Sequence, residues 1–356
     1  MSTMTREQVL KSIADNATLR DCDLSGLDLS EADLTGGRFE NVCLADANLS
    51  QAKIDKTGFK SCDFTHASFE KSQLIKIDFR KMCLANASFR EAYIHKSLLQ
   101  SADFSKADFT GADFSWSMAQ HANFSDATMQ SMQLFKSFFD HCKLDRVDFS
   151  GSEIERVSFS GASLLDAKLK GASWFKVMLR QAQLAGQDIS GQQFSQILLA
   201  GANLKGANLS GADLSMSIFS GADLSEANLS NVKAISCMFK GAQMQGAQCS
   251  DADLSKSYFG AVNASLARFS GARMIHTIFE HAVCQATDFS TAQLQHADFS
   301  YADLTHANFT RASLAHARLH KVIDKNTNWD GANLLGLRGT DKDLEEAENW
   351  FSTHNL

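Results

Sequence analysis

A period of five residues runs through this chain and keeps its phase from Leu24 to Leu334. Stepping by five gives 63 positions, of which 57 are Leu, Ile, Phe, Met or Trp. The exceptions are Ala119, Ala234, Cys249, Ala264, Cys284 and Asp324. Two residues before each of these centres the side chain is nearly always small, and 33 times it is Ala. Five matches neither the helical period of 3.6 nor the alternation of a long strand. It does contain a local period of two: small, then polar, then large and apolar. The small and the large residue face one side and the polar residue faces the other, as in a short strand. The remaining two residues, often Ser-Gly, Thr-Gly or Ser-Lys, are left to turn a corner. The 356 residues include no Pro, which weighs against a loop-rich fold.

The repeat is plain in Ala32-Asp33-Leu34, Ala47-Asn48-Leu49, Ala112-Asp113-Phe114, Ala212-Asp213-Leu214 and Ala302-Asp303-Leu304. This A(D/N)LXX pattern resembles the pentapeptide-repeat family over about residues 22 to 334. The resemblance implies an all-β solenoid: a right-handed quadrilateral β-helix, one pentapeptide per face and four per coil. Sixty-three repeats would then form about 16 coils, a rod roughly 75 Å long at ~4.8 Å per coil. Four faces make residues 20 apart stack. We number the faces by their first centres, Leu24, Leu29, Leu34 and Phe39. The fourth, running from Phe39 to Leu319, has Phe at 10 of its 15 centres, as a stacked aromatic ladder would.

A solenoid exposes core and strand edge at its ends, so caps are expected. Thr5 with Gln8 reads as a capping box, with Val9 and Ile13 on one helical face. Leu344, Ala347 and Phe351 are spaced as an amphipathic helix after Thr340 or Asp341. The expected organisation is an N-terminal cap over 1–21, repeats over 22–338 and a C-terminal amphipathic helix over 339–356. Asp324 breaks the inward frame, which places the end of the last regular coil near Lys321.

Most outward positions are Ser, Asp, Asn, Gln, Gly or Lys, a solvated surface. One outward column differs. Just before the fourth-face centres it reads Leu98, Met118, Phe138, Ser158, Met178, Leu198, Ile218, Met238, Tyr258 and Ile278. The corner column beside it carries Lys76, Lys96, Trp116, Lys136, Arg156 and Lys176 in its N-terminal half. An apolar stripe therefore lies beside a basic ridge. Such a stripe covers roughly 400 Å², near the size at which an exposed patch marks a contact site. Its burial is worth on the order of 10 kcal/mol gross, comparable with the ~4–15 kcal/mol cost of association. Flanking residues must therefore join any stable contact.

Other signals have structural readings. His276, His296 and His316 should stack on one corner, and a straight column does not converge on one metal ion. Cys22, Cys62, Cys142, Cys237, Cys249 and Cys284 face inward as small core residues. Gln187 and Gln192 occupy inward small positions and call for internal partners or a local distortion. No phosphate loop, nucleophile elbow or metal-protease motif is present, and the narrow core has no room for a pocket. No cofactor or metal is expected.

The expected function is a non-enzymatic protein-interaction scaffold or adaptor, its partner an unidentified protein or a second copy in a homodimer. The opening segment, with Glu7-Gln8-Val9-Leu10 leading into Leu27-Asp28-Leu29-Ser30, resembles pentapeptide proteins found with type VI secretion systems. That resemblance implies a role in loading or delivering a secreted component, and a secreted effector is a further alternative. Family resemblance also raises DNA mimicry that protects DNA gyrase. Mimicry needs a continuously acidic face, whereas 41 acidic residues here oppose 34 basic ones and no column is continuously acidic. A net charge of -7 gives no case for direct nucleic-acid binding. No apolar run approaches the roughly 20 residues of a membrane span, and Met1–Leu19 lacks signal-peptide features. A cytoplasmic protein is expected.

Overall fold

Every strand pairing described is parallel and offset by 20 residues, as in Arg38↔Gly58 and Leu134↔Ile154. Four pentapeptides therefore make one turn of a parallel β-solenoid. The computed structural model describes residues 2–354, without the side chains of 351–354.

The chain divides into two compact units, Met1–Leu184 and Ala185–Leu356. In the first, the fourth-face ladder has nine rungs: Thr18, Arg38, Gly58, Asp78, Leu98, Met118, Phe138, Ser158 and Met178. In the second, the same face runs in steps of 20 from Leu198 to Arg338. The all-β solenoid is as expected, and the count of about 16 coils is corrected to nine turns for the first unit. The division falls just before the inward position that elsewhere takes Ala is filled twice by a buried amide, Gln187 and then Gln192. Their main-chain carbonyls accept Asn208 N–H and Asp213 N–H at 2.8 and 2.9 Å, inside the second unit.

Each repeat owes its shape to one backbone state. The second residue after every centre has φ near +60°, whether it is Gly, Lys, His or Asn. At most corners the next N–H closes a turn, as Leu27 N–H does to the Leu24 carbonyl at 3.1 Å. The recurrent Asp or Asn before the centre fixes that turn. Asp23 Oδ1 accepts Ser25 N–H at 3.0 Å and Asp33 Oδ1 accepts Thr35 N–H at 3.0 Å. The Ser25 hydroxyl and amide bonds hold the Asp23 carboxyl below its ordinary pKa.

The third-face corners of the first unit are built differently. Seven parallel strands, from Lys53–Asp55 to Ser173–Phe175, stay extended into the corner. At three of these corners the amide after the corner is satisfied by a hydroxyl from the next coil. Ser97 N–H donates to Ser117 Oγ at 3.0 Å and Ser117 N–H to Ser137 Oγ at 3.1 Å. Ser97, Ser117 and Ser137 thus supply an acceptor at inward positions where Ala could not.

The core is a set of stacked rings. Phe39, Phe59 and Phe79 stack at 5.0 and 5.4 Å. Phe219, Phe239, Phe259, Phe279 and Phe299 stack at 4.6 to 5.0 Å. A second ladder, Phe269, Phe289, Phe309 and Trp329, lies on the second face. The six inward cysteines are buried, and burial pushes the Cys237 thiol up to about 12.

Helix α1, Arg6–Ala14, covers the N-terminal end. Thr5 and Gln8 form the expected reciprocal cap, Gln8 Oε1 accepting Thr5 N–H at 2.8 Å. Val9 is fully buried, and Arg6 donates to the carbonyls of Asp28 and Ser30. At the other end, backbone pairing continues past Lys321 to Arg338, but the centres Asp324 and Leu334 are exposed because no coil follows them. Helix α2, Lys342–His354, starts with Asp341 Oδ1 accepting Leu344 N–H. Phe351, expected on its apolar face, has its side chain outside the described residues. Glu348 latches α2 to the last coils. It accepts from Lys321 Nζ at 2.7 Å and from the Tyr301 hydroxyl, and lies 3.4 Å from buried His320 Nε2. Lys321 and Tyr301 bring Glu348 down to about 2, and the carboxylate raises Tyr301 to about 12.

Two outcomes follow. Ser117→Ala leaves Ser97 N–H buried without an acceptor, which costs about 1–3 kcal/mol. Faster exchange of the Ser97 amide and a lower unfolding midpoint are the measurements. The second concerns Glu348, whose folded pKa lies below the ordinary 4.5. Its latch is fully present above that pH and is lost as pH falls toward 2. Glu348→Gln at pH 7 and wild type near pH 2 should show the same loss of exchange protection in α2.

Candidate protein-binding face

In the first unit the apolar column pairs in register as Leu98↔Met118↔Phe138↔Ser158↔Met178. Met118 and Phe138 are 42% and 41% exposed, while Leu98 and Met178 are half-buried. Ser158 interrupts the column: it is buried and donates to the Asp140 carboxylate. In the second unit the column is Leu198↔Ile218↔Met238↔Tyr258↔Ile278. Ile218, Met238 and Ile278 are exposed and Leu198 and Tyr258 half-buried. Each unit thus carries its own apolar strip.

The ridge of the first unit is partly fused to the strip. Lys136 Nζ sits 4.3 Å from the Trp116 ring centroid and 4.8 Å from that of Phe135. Trp116 and Phe135 meet edge to face at 6.3 Å, and Trp116 is 50% exposed. Lys176 lies 4.9 Å over Phe175, and Arg156 is 3.4 Å from Glu155. Lys76 and Lys96 are exposed and have no carboxylate within ion-pair distance among the described residues. Burial first, and then the Lys96 charge, lower the pKa of neighbouring His95. Phe135 and Phe175 belong to the site as much as the stripe does. Their signal was the apolar residue just before each ridge position.

The choice of residue at a left-handed position, rather than the backbone geometry, singles out this corner. Its residues from Lys56 to Lys176 have φ between 45 and 56°. In the second unit Gln196, Met216, Ser236, Lys256, His276, His296 and His316 have φ between 58 and 62°. A side chain costs about 1–2 kcal/mol in this left-handed region, where Gly costs nothing. The other three corners use Gly repeatedly, for example at Gly151, Gly171, Gly191 and Gly211. This corner has Gly only at its two ends, Gly36 and Gly336.

Elsewhere the surface charge is neutralised locally. Lys168 pairs with Asp148 at 3.0 Å, Lys233 with Asp213 at 2.9 Å and Arg273 with Asp253 at 3.2 Å. Asp148 is buried enough to raise its pKa, but Ser150, Gln130 and Lys168 outweigh this and hold it well below the usual range. The expected histidine column is present: His276, His296 and His316 stack at 4.8 and 5.2 Å. No group of three His, Cys, Asp or Glu among the described residues could hold a metal ion.

Eight copies of the pattern described as Pentapeptide repeats match residues 15–51, 43–80, 87–126, 142–173, 179–215, 219–247, 247–283 and 287–323. The chain belongs to the pentapeptide-repeat family. Solved structures similar to it include Rfr23 from the cyanobacterium Cyanothece 51142, 24% identical over 27% of this chain, with a TM-score of 0.21. This chain spans 61% of the length of Rfr23. HetL from Nostoc, a pentapeptide-repeat protein involved in heterocyst differentiation regulation, is 20% identical over 94% of this chain and 98% of its own, with a TM-score of 0.15. QnrB1, a plasmid-mediated fluoroquinolone resistance protein, is 25% identical over 52% of this chain and 80% of its own, with a TM-score of 0.27. No curated protein matches the chain. Among the described residues no helix is long and apolar enough to cross a membrane.

A stability measurement tests whether the corner side chains are structural. Relief of left-handed strain is worth about 1–2 kcal/mol, less about 0.4–1 for the freer unfolded chain. Lys96→Gly should therefore leave the protein as stable as wild type or up to about 1.6 kcal/mol more so. A lower unfolding midpoint would give Lys96 a structural role.

Proposed function

We propose that the protein is a non-enzymatic interaction platform whose fourth face and basic corner bind an apolar protein segment flanked by acidic residues. The supporting observation is the corner that holds side chains where Gly would be less strained, beside an apolar column. Strained side chains of this kind collect at functional sites. The apolar strip is marginal alone, so the unneutralised Lys76 and Lys96 select the partner: an acidic flank answers them and a basic flank is repelled. The resemblance of the opening segment to type VI-associated proteins makes a secreted component of that apparatus the first partner to try, with the protein acting in the cytoplasm. Gyrase protection by DNA mimicry has less support, because Asp148, Asp213 and Asp253 are each paired with a cation.

The test uses a fluorescent peptide alternating Leu and Glu, its Leu/Lys counterpart, and light scattering. The acidic peptide should bind at least tenfold more tightly than the basic one. Phe138→Glu and Lys96→Glu/Lys136→Glu should each weaken it by about tenfold, or ~1.4 kcal/mol. Equal binding of the two peptides, or variants that bind like wild type, would overturn the reading. A wild-type dimer split by Phe138→Glu/Ile218→Glu would instead make a second copy the occupant. Undiminished gyrase supercoiling in the presence of the protein would dispose of mimicry.

A further inference from the structure

The C-terminal end of the fourth face, beyond the apolar strip of the second unit, carries a different chemistry. Asp298, Arg318 and Arg338 follow one another in register on the outward column. With His296 and His316 on the adjoining corner they line an open groove of about 320 Å³. The imidazoles are held by stacking, 5.2 Å between ring centroids. His316 also lies over Gly336, where an added Cβ would sit 2.5 Å from its Nδ1. That contact explains why the corner column ends on Gly. Arg318 Nη1 is 3.6 Å from Asp298 Oδ2, while Arg338 has no carboxylate within ion-pair distance among the described residues.

Two guanidiniums on adjacent rungs, with one carboxylate on the rung before them, leave the groove with excess positive charge. The imidazoles of His296 and His316 add hydrogen-bonding nitrogens from the adjoining corner. Guanidinium pairs suit the flat, multiple acceptors of an oxyanion better than they suit a point charge. We propose that this groove binds a phosphate-class oxyanion, with Arg338 as its principal ligand, Arg318 as the second and His296 and His316 lining it from the adjoining corner. Asp298 competes for Arg318 and so limits affinity. This site is independent of the apolar strip and does not rest on the peptide-binding reading.

The experiment is a titration of the full chain, labelled with 15N at histidine, with inorganic phosphate and separately with a neutral phosphoserine peptide. Chloride at equal ionic strength is the control. His296 and His316 ring signals should shift with the oxyanion and not with chloride. Arg338→Gln should weaken binding by about tenfold, while Asp298→Asn should tighten it. Asn at 298 keeps the side-chain oxygen that accepts Ser300 N–H at 2.9 Å, so the turn is retained. Binding of phosphate itself identifies a free ligand. Binding of the peptide alone identifies a phosphoryl group carried on a partner. No saturable shift with either, or an affinity unchanged in both variants, overturns the site. An unaltered His281 signal, from a ring stacked on Tyr301 in the same unit, verifies that each variant is folded.

Discussion

One left-handed residue in every five is the constraint on which this structure depends. It turns the chain through each corner and returns it, after 20 residues, beside itself. Parallel pairing, stacked Phe rings and straight outward columns all follow from that return. A surface side chain here always has neighbours one coil above and one below, about 4.8 Å away. Surface chemistry is therefore written in columns, and a single charge is never isolated from the residues 20 before and 20 after it.

That geometry makes like charges expensive. Two cations about 5 Å apart repel by about 0.8 kcal/mol even in water, and by more near a low-dielectric surface. Most columns avoid this by alternation. Asp148 lies beside Lys168 and Asp253 beside Arg273, and Asn48 and Asn208 donate to Asp28 and Asp188. The basic corner does not alternate: Lys56, Lys76 and Lys96 follow one another without a carboxylate in the column. It bears both left-handed strain and charge repulsion, and neither is needed to close the coil. Lys136 relieves part of its charge by lying over Trp116 and Phe135, which also keeps those rings at the surface. An external anionic group would relieve the rest.

The repeat phase, the fourth-face Phe ladder, the apolar column and the Thr5–Gln8 cap were legible in the sequence, because each depends only on spacing and side-chain size. What was not legible depends on corner geometry. The serine ladder of Ser97, Ser117 and Ser137 has meaning only once the corner is extended and its amide lacks a turn partner. Asp23 and its equivalents read as surface polarity, yet they are the acceptors that fix each turn. The division at Leu184 had a visible mark in Gln187 and Gln192, but the 20-residue stacking rule gave no reason to end a unit there. The latch at Glu348 joins residues 47 apart, Tyr301 and Glu348, through a helix docking that no repeat encodes.

The two units use the same face for different ends. In the first, the corner is cationic and aromatic, and three of its side chains, Trp116, Phe135 and Lys136, form one cluster with the corner held extended. In the second, the corner is uncharged at Gln196, Met216 and Ser236, keeps one cation at Lys256 and ends in stacked imidazoles beside two arginines. A ligand reading only hydrophobicity would find both strips alike. One that carries charge would distinguish them, because several cations stand beside the strip in the first unit, whereas the second has Lys256 there and its two arginines beyond the end. The corner residues keep a left-handed backbone in both units, but only the first unit holds the corner extended, so corner geometry and side-chain chemistry both differ. The backbone sets where groups can stand, and the choice of groups at one corner sets what each unit can hold.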